Sequence, residues 1–341
     1  MIQSDWQAHA RGAIDRSGST ADASRVTVDL TAVIVAVTDA DPRVLAVRAP
    51  GSGGDWLPSG PLQPADQTLQ AGLRRWVERQ TCQTLGYVEQ LYTFGDRDRT
   101  LTGGELDPAS RALSLAYLAL VREAAPAGGT AACWQSWYDF LPWEDRRAGD
   151  SGERQRIAER LLAWADRASG EARQARTDRV RLTFGLSEAD WDEERALERY
   201  ELMYEAGLVP EADIDHGRTP SSVAAACPGR PMGADHRRIL ATAIGRLRGK
   251  IKYRPVLFEL MPQHFTLLQL QRTAEALSGG RLHKQNFRRL VETQGLVEET
   301  GETARYTGGR PAKLMRFRHD VTLERPAPGV GGKATRRASR A

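Results

Sequence analysis

Cysteine is scarce in this chain. Cys82, Cys133 and Cys227 are the only three among 341 residues, an odd number with no CxxC spacing, which argues against a disulfide framework and against a zinc ribbon. The six histidines form no HxxH spacing, so no metal is expected, and His9, His236, His264 and His319 are assigned no role. No apolar run approaches the roughly 20 residues of a membrane-spanning helix; the longest is TAVIVAV at 31–37. The opening MIQSDWQAHARGAIDRSGST has no apolar stretch of the secretory kind. A cytoplasmic protein with no membrane partner is expected, its residues 1–24 forming a loose leader.

What is present is globular in composition, 40% hydrophobic and 27% charged. The net charge of +4 is unevenly placed: residues 240–341 hold 20 Lys and Arg against 8 Asp and Glu. The region before them is therefore acidic, and the basic third is suited to a polyanion.

Residues 26–48 read as two strands around the turn signal DADP, and APGSGGDWLPSG at 49–60 reads as a loop. Helical periodicity follows over 68–80, then strand-like LYTF and RALSLAYLALV, ending near residue 148. Residues 151–209 form charged amphipathic helices, and the Pro/Gly-rich stretch 210–233 reads as a linker. Beyond it, Thr266 can cap LLQLQRTAEALS, Gly279–Gly280 break that helix, and HKQNFRRLVETQ stops at Gly295. Two strands, LVEETG and AKLMRFR, complete a winged helix-turn-helix.

In such a motif the second helix lies in the major groove of double-stranded DNA. Phe287, Leu290 and Val291 supply its packing face, leaving His283, Lys284, Gln285, Arg288 and Arg289 outward. Gln and Arg can read adenine and guanine edges bidentately. Arg305, Tyr306, Arg310 and Lys313 crowd the hairpin around two glycines. The candidate DNA-contacting set also takes in Lys252, Arg254, Thr266 and Asn286. RNA fits less well, since only Tyr306 offers a stacking aromatic.

The segment from Gly60 compares with the Nudix signature G-x5-E-x7-R-E-U-x-E-E-x-G-U. Asp66 falls on the first acidic position and Arg74 on the arginine. Where three glutamates would follow stand Arg75, Glu78 and Arg79. Those glutamates would share one helical face and bind the Mg2+ that drives diphosphate cleavage. Two arginines there turn a site charge of −3 into +1. The segment is therefore read as catalytically inactive, with Arg75 and Arg79 suited to the phosphates of a ligand, and Glu78 as a partner for Arg74 at i+4.

On these residues the chain resembles the Nudix-related transcriptional regulators of NAD metabolism, the NrtR type and its alphaproteobacterial NadQ-like branch. The most specific stretch is Lys252–Arg318; Tyr92–Val121 is similar to the Nudix-like half. The resemblance implies an α+β protein: a Nudix-like α/β/α sandwich over 25–148, a helical connector and linker over 149–234, a winged helix-turn-helix over 235–322 and a basic tail over 323–341. It implies a homodimeric repressor of NAD biosynthesis genes that senses an adenine nucleotide (ATP, NAD or ADP-ribose), with no other cofactor. Arg48, Trp56, Tyr92, Phe94, Asp96, Arg97 and Arg99 become pocket candidates through the same resemblance. Two other readings are an active Nudix hydrolase with an appended DNA-binding domain and a helical scaffold built on 151–209.

Overall fold

The computed structural model describes residues 26–48, 54–95, 111–122, 132–149, 152–304, 311–318 and 320. β1 (Val26–Thr38) and β2 (Asp41–Arg48) form an antiparallel hairpin. Asp39 and Ala40 join them, both at positive φ, the backbone that matches a two-residue turn to the right-handed twist of its strands. β3 (Asp55–Trp56) falls within the stretch read as a loop, and β4 (Ser59–Pro61) spans its end. They follow turn residues and are too short to show alternation. β5 (Tyr87–Phe94), β6 (Arg111–Leu120) and β7 (Ala132–Ser136) complete the sheet.

The strand order is β3-β2-β1-β6-β5, with β4 on β1 and β7 on β2. β1 runs parallel to β6. Because β1 is covered on both faces, its apolar run is continuous rather than alternating. Leu30, Ala32, Ile34 and Ala36 meet Leu73 and Val77 of α1 (Leu69–Thr81). Val33 and Val35 face the other way, into the larger core with Trp137, Leu240 and Ile244. Helices thus lie on both sides of the sheet.

Two short 3-10 turns, Trp137–Asp139 and Pro142–Glu144, lead away from β7. The charged helices expected next are α2 (Glu153–Ala165), α3 (Gly170–Phe184) and α4 (Ala196–Glu205). Residues 210–233, read as a linker, instead contain α5 (Pro210–Ile214) and α6 (Ser222–Ala225), and Ala212, Ala224 and Met232 are buried. Pro210 starts a helix here rather than breaking one, since the first helical position needs no N–H.

α7 (His236–Tyr253) follows and packs on β1, β5, α4 and α8. The winged helix-turn-helix is formed by α8 (Leu267–Ser278), α9 (Lys284–Thr293) and the hairpin β8 (Val297–Ala304) with β9 (Ala312–Phe317). Leu270, Ala274 and Leu277 pack with Phe287, Val291 and Leu296. Phe258 stacks on Phe317 at 4.3 Å, and Phe265 bridges Met315, fixing the hairpin to the helices. Among the described residues no helix is long and apolar enough to cross a membrane.

Candidate functional site

α8 begins on a reciprocal cap. The Thr266 hydroxyl accepts from Gln269 N–H and the Gln269 side chain accepts from Thr266 N–H. Gly279, at φ +72°, ends it. α9 buries Phe287 and Val291 on one side and exposes His283 just ahead of it and Lys284, Gln285, Asn286, Arg288 and Arg289 on the other. Among the described residues, no carboxylate lies in salt-bridge range of Lys284, Arg288 or Arg289.

The remaining basic candidates are placed differently. Lys252 is held between Glu193 at 2.8 Å and Glu194 at 2.6 Å. Burial alone would lower its ammonium, and the two carboxylates override it, pushing it up to about 12. Lys313 meets both oxygens of Glu299, at 2.7 and 2.9 Å. Arg254 lines a cleft of about 880 Å3 with Tyr87, Phe258 and Phe317. Arg305, Tyr306 and Arg310 lie outside the described residues, as do Asp96, Arg97 and Arg99 of the nucleotide set. Arg272, exposed on α8, adds a cation outside the set that sequence spacing picks out.

In the Nudix-like half, Thr68 caps α1 by accepting from Ala71 N–H at 3.1 Å. Arg75 reaches back to Asp66 and donates to both of its oxygens, at 2.9 and 2.8 Å. Asp66 also accepts from Gln63 N–H. Hydrogen bonding from Arg75, then from Gln63, holds the Asp66 carboxyl below the usual range. The guanidinium groups of Arg75 and Arg79 lie 4.9 and 5.6 Å from the Trp76 ring, whose Nε1 donates to Pro61 O. Arg74 does not meet Glu78; it donates to the carbonyls of Leu85 and Gly86. The donor set does not suit a divalent cation, because Asp66 is occupied by a guanidinium and Glu78 stands between two arginines. Among the described residues no cluster of three His, Cys, Asp or Glu could hold a metal.

Arg48 and Trp56 come together through β2–β3, where Arg48 pairs with Asp55 and Val47 with Trp56. Arg48 is 71% exposed, its Nε 3.8 Å from Asp55, which also lies 3.4 Å from Arg230. Trp56 packs edge-on against His236 at 5.1 Å. His236 Nδ1 accepts from Leu57 N–H at 2.8 Å, giving that histidine a structural function that its sequence neighbours do not disclose. Tyr92 and Phe94 pack edge-on at 5.4 Å on β5, with β1 and β6 between them and β2. Tyr92 is 64% exposed and Phe94 is buried. The two groups of candidate aromatics therefore stand on opposite edges of the sheet.

A family described as the NrtR DNA-binding winged helix domain matches residues 257–317. Over 86 residues the chain is 42% identical to the ADPR responsive transcriptional repressor NtrR of Acinetobacter baylyi. That match takes in 25% of this chain and 34% of the relative, about a third of its length. The crystal structure of Shewanella oneidensis NrtR superposes with a TM-score of 0.50 at 21% identity, over 86% of this chain and 95% of that one. A MutT/nudix family protein from Enterococcus faecalis gives a TM-score of 0.50 at 15% identity, over 88% and 90%. Residues 257–317 thus match the NrtR DNA-binding winged helix, and over most of its length the chain shares the fold of a Nudix domain followed by that module.

Proposed function

We propose that this protein is a transcriptional repressor whose grip on operator DNA is controlled by an adenine nucleotide in a Nudix-fold domain that does not hydrolyse it. The observation that carries this reading is α9. It presents Lys284, Arg288 and Arg289 without carboxylate partners among the described residues, beside Gln285, inside a domain that matches the NrtR winged helix. The paired arginines of the connector, such as Arg173 with Asp166 and Arg179 with Glu205, make the contrast. Cations left unpaired on one helix are available to phosphates and base edges, and the release of condensed counterions drives that association.

ADP-ribose is the first choice of effector, because the A. baylyi relative is named as ADPR responsive; ATP and NAD are the alternatives. Arg48 and Trp56 offer a cation beside an aromatic at one sheet edge, and Arg79 offers a second cation on α1. The guanidinium on Asp66 supports binding without hydrolysis, since it stands where a metal would need a carboxylate. The protein acts in the cytoplasm as a homodimer, with two α9 helices entering half-sites about one helical turn apart. The genes it controls are those of NAD biosynthesis. Fluorescence anisotropy of a labelled operator duplex, with and without ADP-ribose, tests the reading. Binding that weakens as salt rises and shifts with ADP-ribose is expected; no affinity for any duplex would overturn it.

A further inference from the structure

The segment that leaves the sheet after β7 ends on a buried charge. The Glu144 carboxylate lies between Arg199 of α4 and Arg248 of α7, and all three side chains are 0% exposed. Arg199 donates to both Glu144 oxygens, at 2.5 and 2.9 Å, and Arg248 donates to one of them. One carboxylate against two guanidinium groups leaves an uncompensated positive charge. The remaining N–H groups go to main-chain carbonyls. Arg199 donates to Thr183 O at 3.1 Å and Arg248 to Leu277 O at 2.9 Å, in the last turns of α3 and α8. Those carbonyls lack a partner within their own helix, and both helix dipoles are negative there. The surplus charge is thus held by two helix ends.

The same segment grips the end of α8 at further points. Tyr138 Oη donates to Ala276 O at 2.7 Å, Arg146 N–H to Gly279 O at 2.7 Å, and Arg281 Nε to Arg147 O at 2.5 Å. Gly279 has no room for a side chain, since a Cβ would run into Glu144 O. At its other end the segment hangs from the sheet. Ser136 Oγ bonds Asp41 at 2.8 Å, Arg147 donates to Ala40 O, and β7 pairs along β2, which carries Arg48 and borders Trp56. The turn between α8 and α9 is therefore fixed to the strand that bears the candidate nucleotide-binding residues, through residues 137–147.

We propose that Glu144 and Tyr138 are positioning residues for DNA recognition: through Arg248 and the main chain of the α8–α9 turn, they set where α9 stands relative to β2–β3, and so transmit nucleotide occupancy to it. This rests on the reading that a nucleotide controls DNA binding. Both side chains are buried and act only through the groups they hold. Their effect is on the coupling between the two ligands, which is a free energy shared equally by both.

The test uses the full-length protein and a labelled duplex that the parent enriches from random-sequence DNA. Duplex affinity is titrated by anisotropy with and without saturating ADP-ribose, for the parent, Tyr138→Phe and Glu144→Gln. ADP-ribose affinity of the DNA-free proteins is measured by calorimetry. In Tyr138→Phe, the factor by which ADP-ribose changes duplex affinity is expected to shrink about threefold or more. ADP-ribose affinity without DNA stays at the parent value. Glu144→Gln shrinks the factor further; if it does not fold, Tyr138→Phe decides alone. An unchanged factor in Tyr138→Phe, beside a parent that responds, overturns this inference and leaves the regulatory reading standing. A parent whose duplex affinity ignores ADP-ribose overturns both.

Discussion

Asp66 and Arg75 face each other through two parallel hydrogen bonds, 2.9 and 2.8 Å long, nine residues apart in the chain. This fork-on-carboxylate geometry is the strong form of an ion pair. It uses both oxygens of the acidic residue that heads the Nudix comparison. The expected outcome is no magnesium-dependent turnover of ADP-ribose by the pure protein. Arg75→Glu with Arg79→Glu should create a magnesium affinity measurable by calorimetry, since it frees Asp66 and adds two carboxylates to one helical face. Turnover by the unaltered protein would refute this view of the site.

Lys284 and Arg288 sit one turn apart on the exposed side of α9. Alanine at either should weaken duplex binding uniformly across sequences. The slope of log affinity against log salt should become shallower by about 0.9 for each phosphate that is no longer neutralised. Gln285→Ala should instead relax preference at one base pair, at about 1–3 kcal/mol. Lys252→Ala should leave the salt slope unaltered, because Glu193 and Glu194 already hold that ammonium. Equal slopes for all four variants would remove α9 from the interface.

Burial pushes the Glu144 carboxyl up, and Arg199 and Arg248 more than reverse it, leaving it below the usual carboxylate range. A depressed carboxyl contributes stability that is present above its unfolded value, about 4.3 for glutamate, and is lost as pH falls through the lower folded value. Thermal melts from pH 7 towards pH 3 should therefore show a steeper acid loss in the parent than in Glu144→Gln. Glu144→Ala should cost about 3–5 kcal/mol at pH 7, because it leaves two guanidinium groups buried without a counter-charge.

Gly233 lies directly under Trp56, so that a Cβ there would enter the indole ring. Gly233→Ala should displace Trp56 and weaken ADP-ribose binding by about tenfold, close to 1.4 kcal/mol. Calorimetry with the DNA-free protein reads this directly. An unchanged affinity would place the nucleotide away from Trp56.

Much of the architecture is legible in the residues themselves. The two-sided apolar run of β1, the periodicity of α1, the Thr266 cap and the Gly279 and Gly295 stops are local signals, and each element stands where those signals put it. What stays hidden is non-local. Arg199, Arg237 and Arg248 look like a solvated helical face, because charge normally marks the surface. Their burial depends on Glu144 and Glu211, which lie far away in sequence. His236 is illegible for the same reason: its partner is the main-chain N–H of Leu57, 179 positions away. Of the candidate sites, the outward side of α9 is readable from spacing, whereas the separation of Trp56 from Tyr92 by three strands depends on sheet order.

The parallel pairing of β1 with β6 has a consequence for how this molecule is made. Thr31 and Ser114 share a hydrogen bond across 83 positions, in the middle of the sheet. A hairpin of β1 and β2 can close early, but the strand beside it is supplied only after a long loop has been drawn shut, which slows folding. Until Arg111–Leu120 has left the ribosome, β1 carries an open, apolar edge. A nascent chain arrested before that point should be a chaperone client, whereas one arrested shortly after it should resist proteolysis.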